Sequence, residues 1–112
     1  MTLSEEKNGK VSVLGLSGKL DIEGGKMLVE RMTQILAGGE RQILLDFTDI
    51  TYINSAGLRA LILVAKQLAS SGGMLILAGV SDSNQKVLNI SGLASIFTFR
   101  PTKADALGSF PQ

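Results

Sequence analysis

The sequence predicts one α/β domain in which strands and helices alternate, and three observations carry that expectation. Two apolar runs, Ile43 to Phe47 (broken only by Asp46) and Met74 to Ala78, have the near-continuous hydrophobicity of strands buried on both faces. Between them, from Leu58 onward, apolar residues recur at helical rather than alternating spacing. Strand, helix, strand within one domain implies a parallel pair joined by a right-handed crossover. The chain's 112 residues suit a single domain, residues 1–112, since at this length about two thirds of the unfolded surface can be buried.

Taken in order, Leu3 to Glu6 and Lys10 to Ser17 are expected to pair as a hairpin across the Asn8-Gly9 turn signal, with Val11, Val13, Leu14 and Leu16 in the second strand. Gly18-Lys19-Leu20-Asp21 reads as a turn. A helix follows, with Leu28, Met32, Ile35 and Leu36 on one stripe and an end at Gly38-Gly39. Its start is blurred by Gly24 and Gly25, both poor helix formers. After the central strand, Asp46, Thr48 and Asp49 suggest a polar turn. The helix after Gly57 puts Leu58, Leu61, Ile62, Ala65, Leu68 and Ala69 on one broad face, opposite Arg59, Lys66, Gln67 and Ser70. Leu63 falls on the polar side. Beyond Met74–Ala78, Ser81-Asp82-Ser83 offers caps for a short helix through Val87, Leu88 and Ile90 that ends at Gly92. A last strand is expected over Ile96 to Phe99, and a final helix opens at Pro101-Thr102, where Thr102 and Asp105 stand at capping-box spacing.

Composition excludes several classes of function. Eleven basic residues against ten acidic give a formal charge of +1, too little to gather nucleic acid or an anionic membrane. There is no cysteine, hence no disulfide and no thiolate, and no histidine, hence neither a Ser-His-Asp nor a Cys-His arrangement. A zinc site would need carboxylates alone. Asp46 and Asp49 are a weak basis for a hydrolytic dyad, and the paired glycines follow helices instead of opening them, so no phosphate loop is formed. A non-enzymatic protein without cofactor is expected. The N-terminal residues lack the pattern of a secretory leader and no apolar run reaches membrane length, so the expected compartment is the cytoplasm. A near-neutral surface without a heptad pattern favours a monomer.

Attention therefore falls on Asn54-Ser55-Ala56-Gly57, where the loop leaving a central strand enters a helix, the usual place for ligands and modifications in open α/β sheets. Ser55 at such a point either satisfies unpaired helix amides or offers its hydroxyl outward.

With these elements in place, the string from Leu45 to Leu58 resembles the signature of STAS domains, and among them the bacterial anti-sigma factor antagonists. That family carries an Asp-Ser-Ser/Thr-Gly-Leu stretch at the same strand-to-helix junction. Gly18-Lys19-Leu20-Asp21 is similar to its Gly-x-Leu-Asp turn, and Thr102 to Leu107 to its C-terminal helix, so the likeness spans about the whole chain. Asn54 stands where the antagonists often have Asp, and Ala56 where a second hydroxyl is common, which leaves Ser55 the sole hydroxyl of the tetrad.

The resemblance implies a single STAS domain: a small mixed sheet of four to five strands with about four helices packed mainly on one face. It further implies a partner switch. The unphosphorylated protein would bind an anti-sigma factor with serine kinase activity, which supplies ATP and magnesium, and so free a sigma factor. Phosphorylation at Ser55 would break that complex and a separate serine phosphatase would restore it. A phosphate there adds about −1.5 to −2 charges against the positive end of a helix dipole, which the fold should tolerate. The cost falls on the partner, for which covering an uncompensated dianion takes ~2–5 kcal/mol. Around the Asn54-Ser55-Ala56-Gly57 loop, the candidate partner contacts are Asp21, Asp46, Arg59 and Leu63. Asp21 could equally be a turn or N-cap residue, Asp46 a strand-end carboxylate bonded locally, and Leu63 a stray exposed leucine or a small anchor within a polar rim. A STAS module acting as a scaffold or accessory subunit of a transporter or signalling assembly, without phosphate chemistry, is the other reading the residues allow.

Overall fold

Gly9, with φ at 60°, makes the tight two-residue loop that an Asn-Gly signal announces, and the chain folds back on itself there. In the computed structural model, which describes residues 1–90, 92 and 94–111, strands β1 (Thr2–Asn8) and β2 (Val11–Leu20) form this hairpin. Helix α1 (Ile22–Ala37), strand β3 (Gln42–Ile53), helix α2 (Ser55–Ser70) and strand β4 (Met74–Ala78) follow, then α3 (Asp82–Ile90), a short 3-10 turn at Ala94–Ile96, β5 (Thr98–Arg100) and α4 (Lys103–Gly108). The sheet has the order β1-β2-β3-β4-β5, antiparallel at the hairpin and parallel elsewhere.

Each face of that sheet has its own core. On one, Leu14, Leu45 and Phe47 meet Leu28 and Met32 of α1, Leu61, Val64 and Leu68 of α2, and Leu88 of α3. On the other, Val13, Leu44 and Ile76 meet Ala106 of α4 and the following Phe110. Three helices thus share one face and α4 alone covers the other, the small mixed sheet expected of the sequence. Among the described residues, no helix is long and apolar enough to cross a membrane.

Two expected turns are in fact strand. Gly18 to Leu20 continue β2, and Asp46 to Asp49 lie inside β3. The reason is a pair of bulges: β3 inserts one extra residue between the Gly15–Asp46 and Ser17–Asp49 pairs and another between Gly18–Ile50 and Lys19–Tyr52. Each insertion resets the side-chain alternation, so Phe47, Ile50 and Ile53 are all buried on the α1/α2 face at intervals of three. Polar residues gather at the bulges, where a sequence reader sees a turn. β5 likewise begins two residues later than expected, because Ala94–Ile96 coils into the 3-10 turn first.

The buried stripe of α2 is also rotated from the expected one. Gly57, Ala60, Leu61, Val64 and Leu68 are buried, Leu58, Ile62 and Ala65 only partly so, and Ala69 is exposed. The cause is α1. A Cβ on its Gly25 would lie 2.8 Å from the Ala60 Cβ, so two small residues let the helices approach and draw the stripe toward α1.

β4 ends level with Asp46, which leaves the second half of β3 without a strand on that side. Asn84 of α3, buried, donates from Nδ2 to the Ile50 carbonyl at 3.3 Å and so closes this edge. Asn84→Ala should strand that carbonyl and lower stability by about 1–2 kcal/mol, read as a fall in the urea midpoint at unchanged slope.

Candidate functional site

Parallel strands β2 and β3 finish side by side, Leu20 opposite Ile53, so the two helices that follow them start at the same end of the sheet. Each start is capped by a side chain. Asp21, extended at φ −110°, accepts from Gly24 N at 3.0 Å, and Asn54, extended at φ −103°, accepts from Gly57 N at 2.9 Å. The Gly24 amide holds the Asp21 carboxyl below its ordinary range, so the cap is ionised throughout neutral pH.

The two starts are locked together through Leu20. Its carbonyl accepts from Asn54 N at 3.2 Å, and a Cβ on Gly57 would lie 2.0 Å from the same oxygen. Only glycine fits there. The first turn of α2 consequently rests on backbone, which cannot give way as a side chain could.

Within this frame Ser55 is the first residue of α2, exposed, and its hydroxyl has no hydrogen-bond partner among the described residues. The capping work open to it in the sequence is done by Asn54 through its amide oxygen. Ala56 is half-buried, its carbonyl turned toward Gly25. From there a groove of about 340 Å³ runs between the helices, lined on α2 by Ala56, Arg59, Ala60 and Leu63 and on α1 by Ile22, Gly25, Lys26, Val29 and Glu30. Ile22 and Leu63 stand 58% and 52% exposed at its walls, too apolar and too close together to be isolated surface residues.

The expected contact residues thus divide. Asp21, Asn54, Ser55, Ala56 and Gly57 gather at the shared helix starts, and Arg59 and Leu63 extend from them along the groove. Asp46 stands apart: it faces the α4 side of the sheet beside Ser4, Gly15 and Lys103, roughly 20 Å down the strand by the usual rise per residue. There its carboxylate accepts from Thr48 N at 3.0 Å and from Thr48 Oγ1 at 2.6 Å, pinning the first bulge. The α1 wall of the groove escaped the sequence reading. Its signal was present, for Ile22 and Val29 are two turns apart and off the Leu28–Met32–Ile35 stripe, but nothing local tied them to Leu63. Among the described residues, no group of three acidic side chains converges where a metal could sit.

Comparison with known proteins places this geometry. The family model for the STAS domain matches residues 3–106. The chain belongs to the STAS domain family. BtrV of Bordetella bronchiseptica, named as a candidate anti-sigma factor antagonist, is 33% identical over 98% of this chain and 95% of its own. The anti-sigma-B factor antagonist of Staphylococcus aureus is 28% identical over 85% of each. In fold, this STAS domain matches the Bacillus protein SpoIIAA, an anti-sigma factor antagonist, solved unphosphorylated (TM-score 0.75, 20% identity, 96% of each chain) and phosphorylated (TM-score 0.75, 21% identity, 96% of this chain and 97% of that one).

Because the Leu20 carbonyl fills the space where a Gly57 side chain would go, Gly57→Ala in this STAS domain should cost about 3 kcal/mol or more and spread to the Asp21 and Asn54 caps. Denaturant unfolding with amide chemical shifts at both helix starts would check it. Asn54→Ala, which removes one cap hydrogen bond, should cost only about 1 kcal/mol.

Proposed function

We propose that the protein is an anti-sigma factor antagonist that works as a non-enzymatic phospho-switch, with Ser55 as the phosphate acceptor. The carrying observation is the unpartnered Ser55 hydroxyl: with Asn54 capping the helix, the serine has no structural task among the described residues, yet it is held on a rigid first turn next to Ala56, which lines an apolar groove. The names of the relatives support the partner class, and SpoIIAA, known with and without phosphate, supports a fold that carries the modification without melting.

In this reading the unphosphorylated protein docks on an anti-sigma factor with serine kinase activity, and so frees a sigma factor. Ile22 and Leu63 supply apolar contact, with Lys26, Glu30 and Arg59 as the polar rim and Asp21 at the end nearest the serine. The kinase brings ATP and magnesium. Transfer to Ser55 puts a dianion where the partner must exclude water, and the complex separates. A serine phosphatase resets the cycle.

Binding of wild type, Ser55→Ala and Ser55→Asp to the cognate kinase, measured by calorimetry, tests this. Ser55→Ala should bind like wild type and Ser55→Asp at least about 30-fold more weakly, the equivalent of ~2 kcal/mol. Equal affinity for all three would end the switch reading.

A further inference from the structure

The charges around the site are unevenly paired. The three ion pairs found among the described residues all use β1: Glu5 with Arg31, Glu6 with Lys103 and Lys7 with Glu40. None reaches the groove. On its α1 wall, Lys26 and Glu30 stand one turn apart, and on the α2 wall Arg59 is exposed and has no hydrogen bond or ion pair among the described residues. The first turn of α2 contains no acidic residue that could engage it.

Arg59 is also four residues after Ser55 on the same helix. Side chains at that spacing are neighbours, about 5–6 Å apart at Cβ, and helical side chains lean toward the N-terminus, which puts the turn that Ser55 begins within reach of the Arg59 guanidinium. Its planar fork suits the oxygens of a phosphate, and the pair would lie at the positive end of the helix dipole.

We propose that Arg59 is the internal counter-charge for a phosphate on Ser55, so that modification draws the α2-wall cation of the groove away from the docking partner. This rests on the reading of Ser55 as phosphate acceptor and adds a second half to the switch. In the unmodified protein Arg59 lies at the groove with its charge unpaired, available to a carboxylate of the partner. In the modified protein it is engaged within its own helix. The partner then meets both a dianion and the loss of a cation.

The test installs phosphoserine at position 55 during translation, which needs no kinase, and follows the phosphate's second ionisation by 31P NMR. In the otherwise unchanged protein the midpoint should fall below the ordinary value of about 6. Arg59→Gln should raise it by about 0.3–0.5 pH unit while the helix start remains intact, and Lys26→Gln should leave it where it was. A midpoint unmoved by Arg59→Gln, or moved by Lys26→Gln instead, would overturn the assignment. A kinase that never modifies Ser55 would end the phospho-switch reading, whereas the titration tests the Arg59 counter-charge by itself.

Discussion

The close passage of Gly57 beneath the Leu20 carbonyl is the constraint on which the rest depends. It is a contact of backbone with backbone, without a flexible side chain to absorb displacement, and it joins the end of one strand to the beginning of the helix after the next. Because Asn54 also donates to that carbonyl, the strand end, the α1 cap and the α2 cap form one unit. Ser55 inherits its position from that unit. A serine on an ordinary loop would sample many orientations; here the residues before and after it are both fixed, and the side chain leaves the helix start in one direction.

A second close contact, Gly25 against Ala60, sets the width of the groove. Small residues bring α1 and α2 together at their starts, and the larger Ile22, Val29 and Leu63 stand around the gap. The surface therefore combines a serine on a rigid helix start with an apolar trough whose walls come from separate parts of the chain. Under the proposed switch three consequences fit together: a phosphate on Ser55 would stay outside the core, the fold would not need to change for the signal to be read, and the readout would belong to whatever covers the groove.

Much of this was legible in the sequence, and the failures have physical causes. The hairpin, the parallel strand-helix-strand unit and the cap at Thr102 follow from local chemistry, which sequence reports directly, and the N-cap was one of the two readings open for Asp21. Ser55 was singled out because its place at a strand-to-helix junction coincides with the resemblance to the family's signature. Bulges are different, since Asp46, Thr48 and Asp49 have the composition of a turn and only pairing with β2 shows that the strand continues. Gly24 and Gly25 looked like helix breakers; packing requires them, one against the Lys19 carbonyl and the other against Ala60. The α1 wall of the groove and the rotation of the α2 stripe are tertiary facts. No window of neighbouring residues contains them.

The most direct measurement is to incubate the protein with its cognate kinase and ATP and map phosphate by mass spectrometry on intact chain and peptides. The expected result is one phosphate per chain, on Ser55, and none on Ser55→Ala. Phosphate on another residue, or an unmodified chain under conditions where the kinase binds it, would contradict the account.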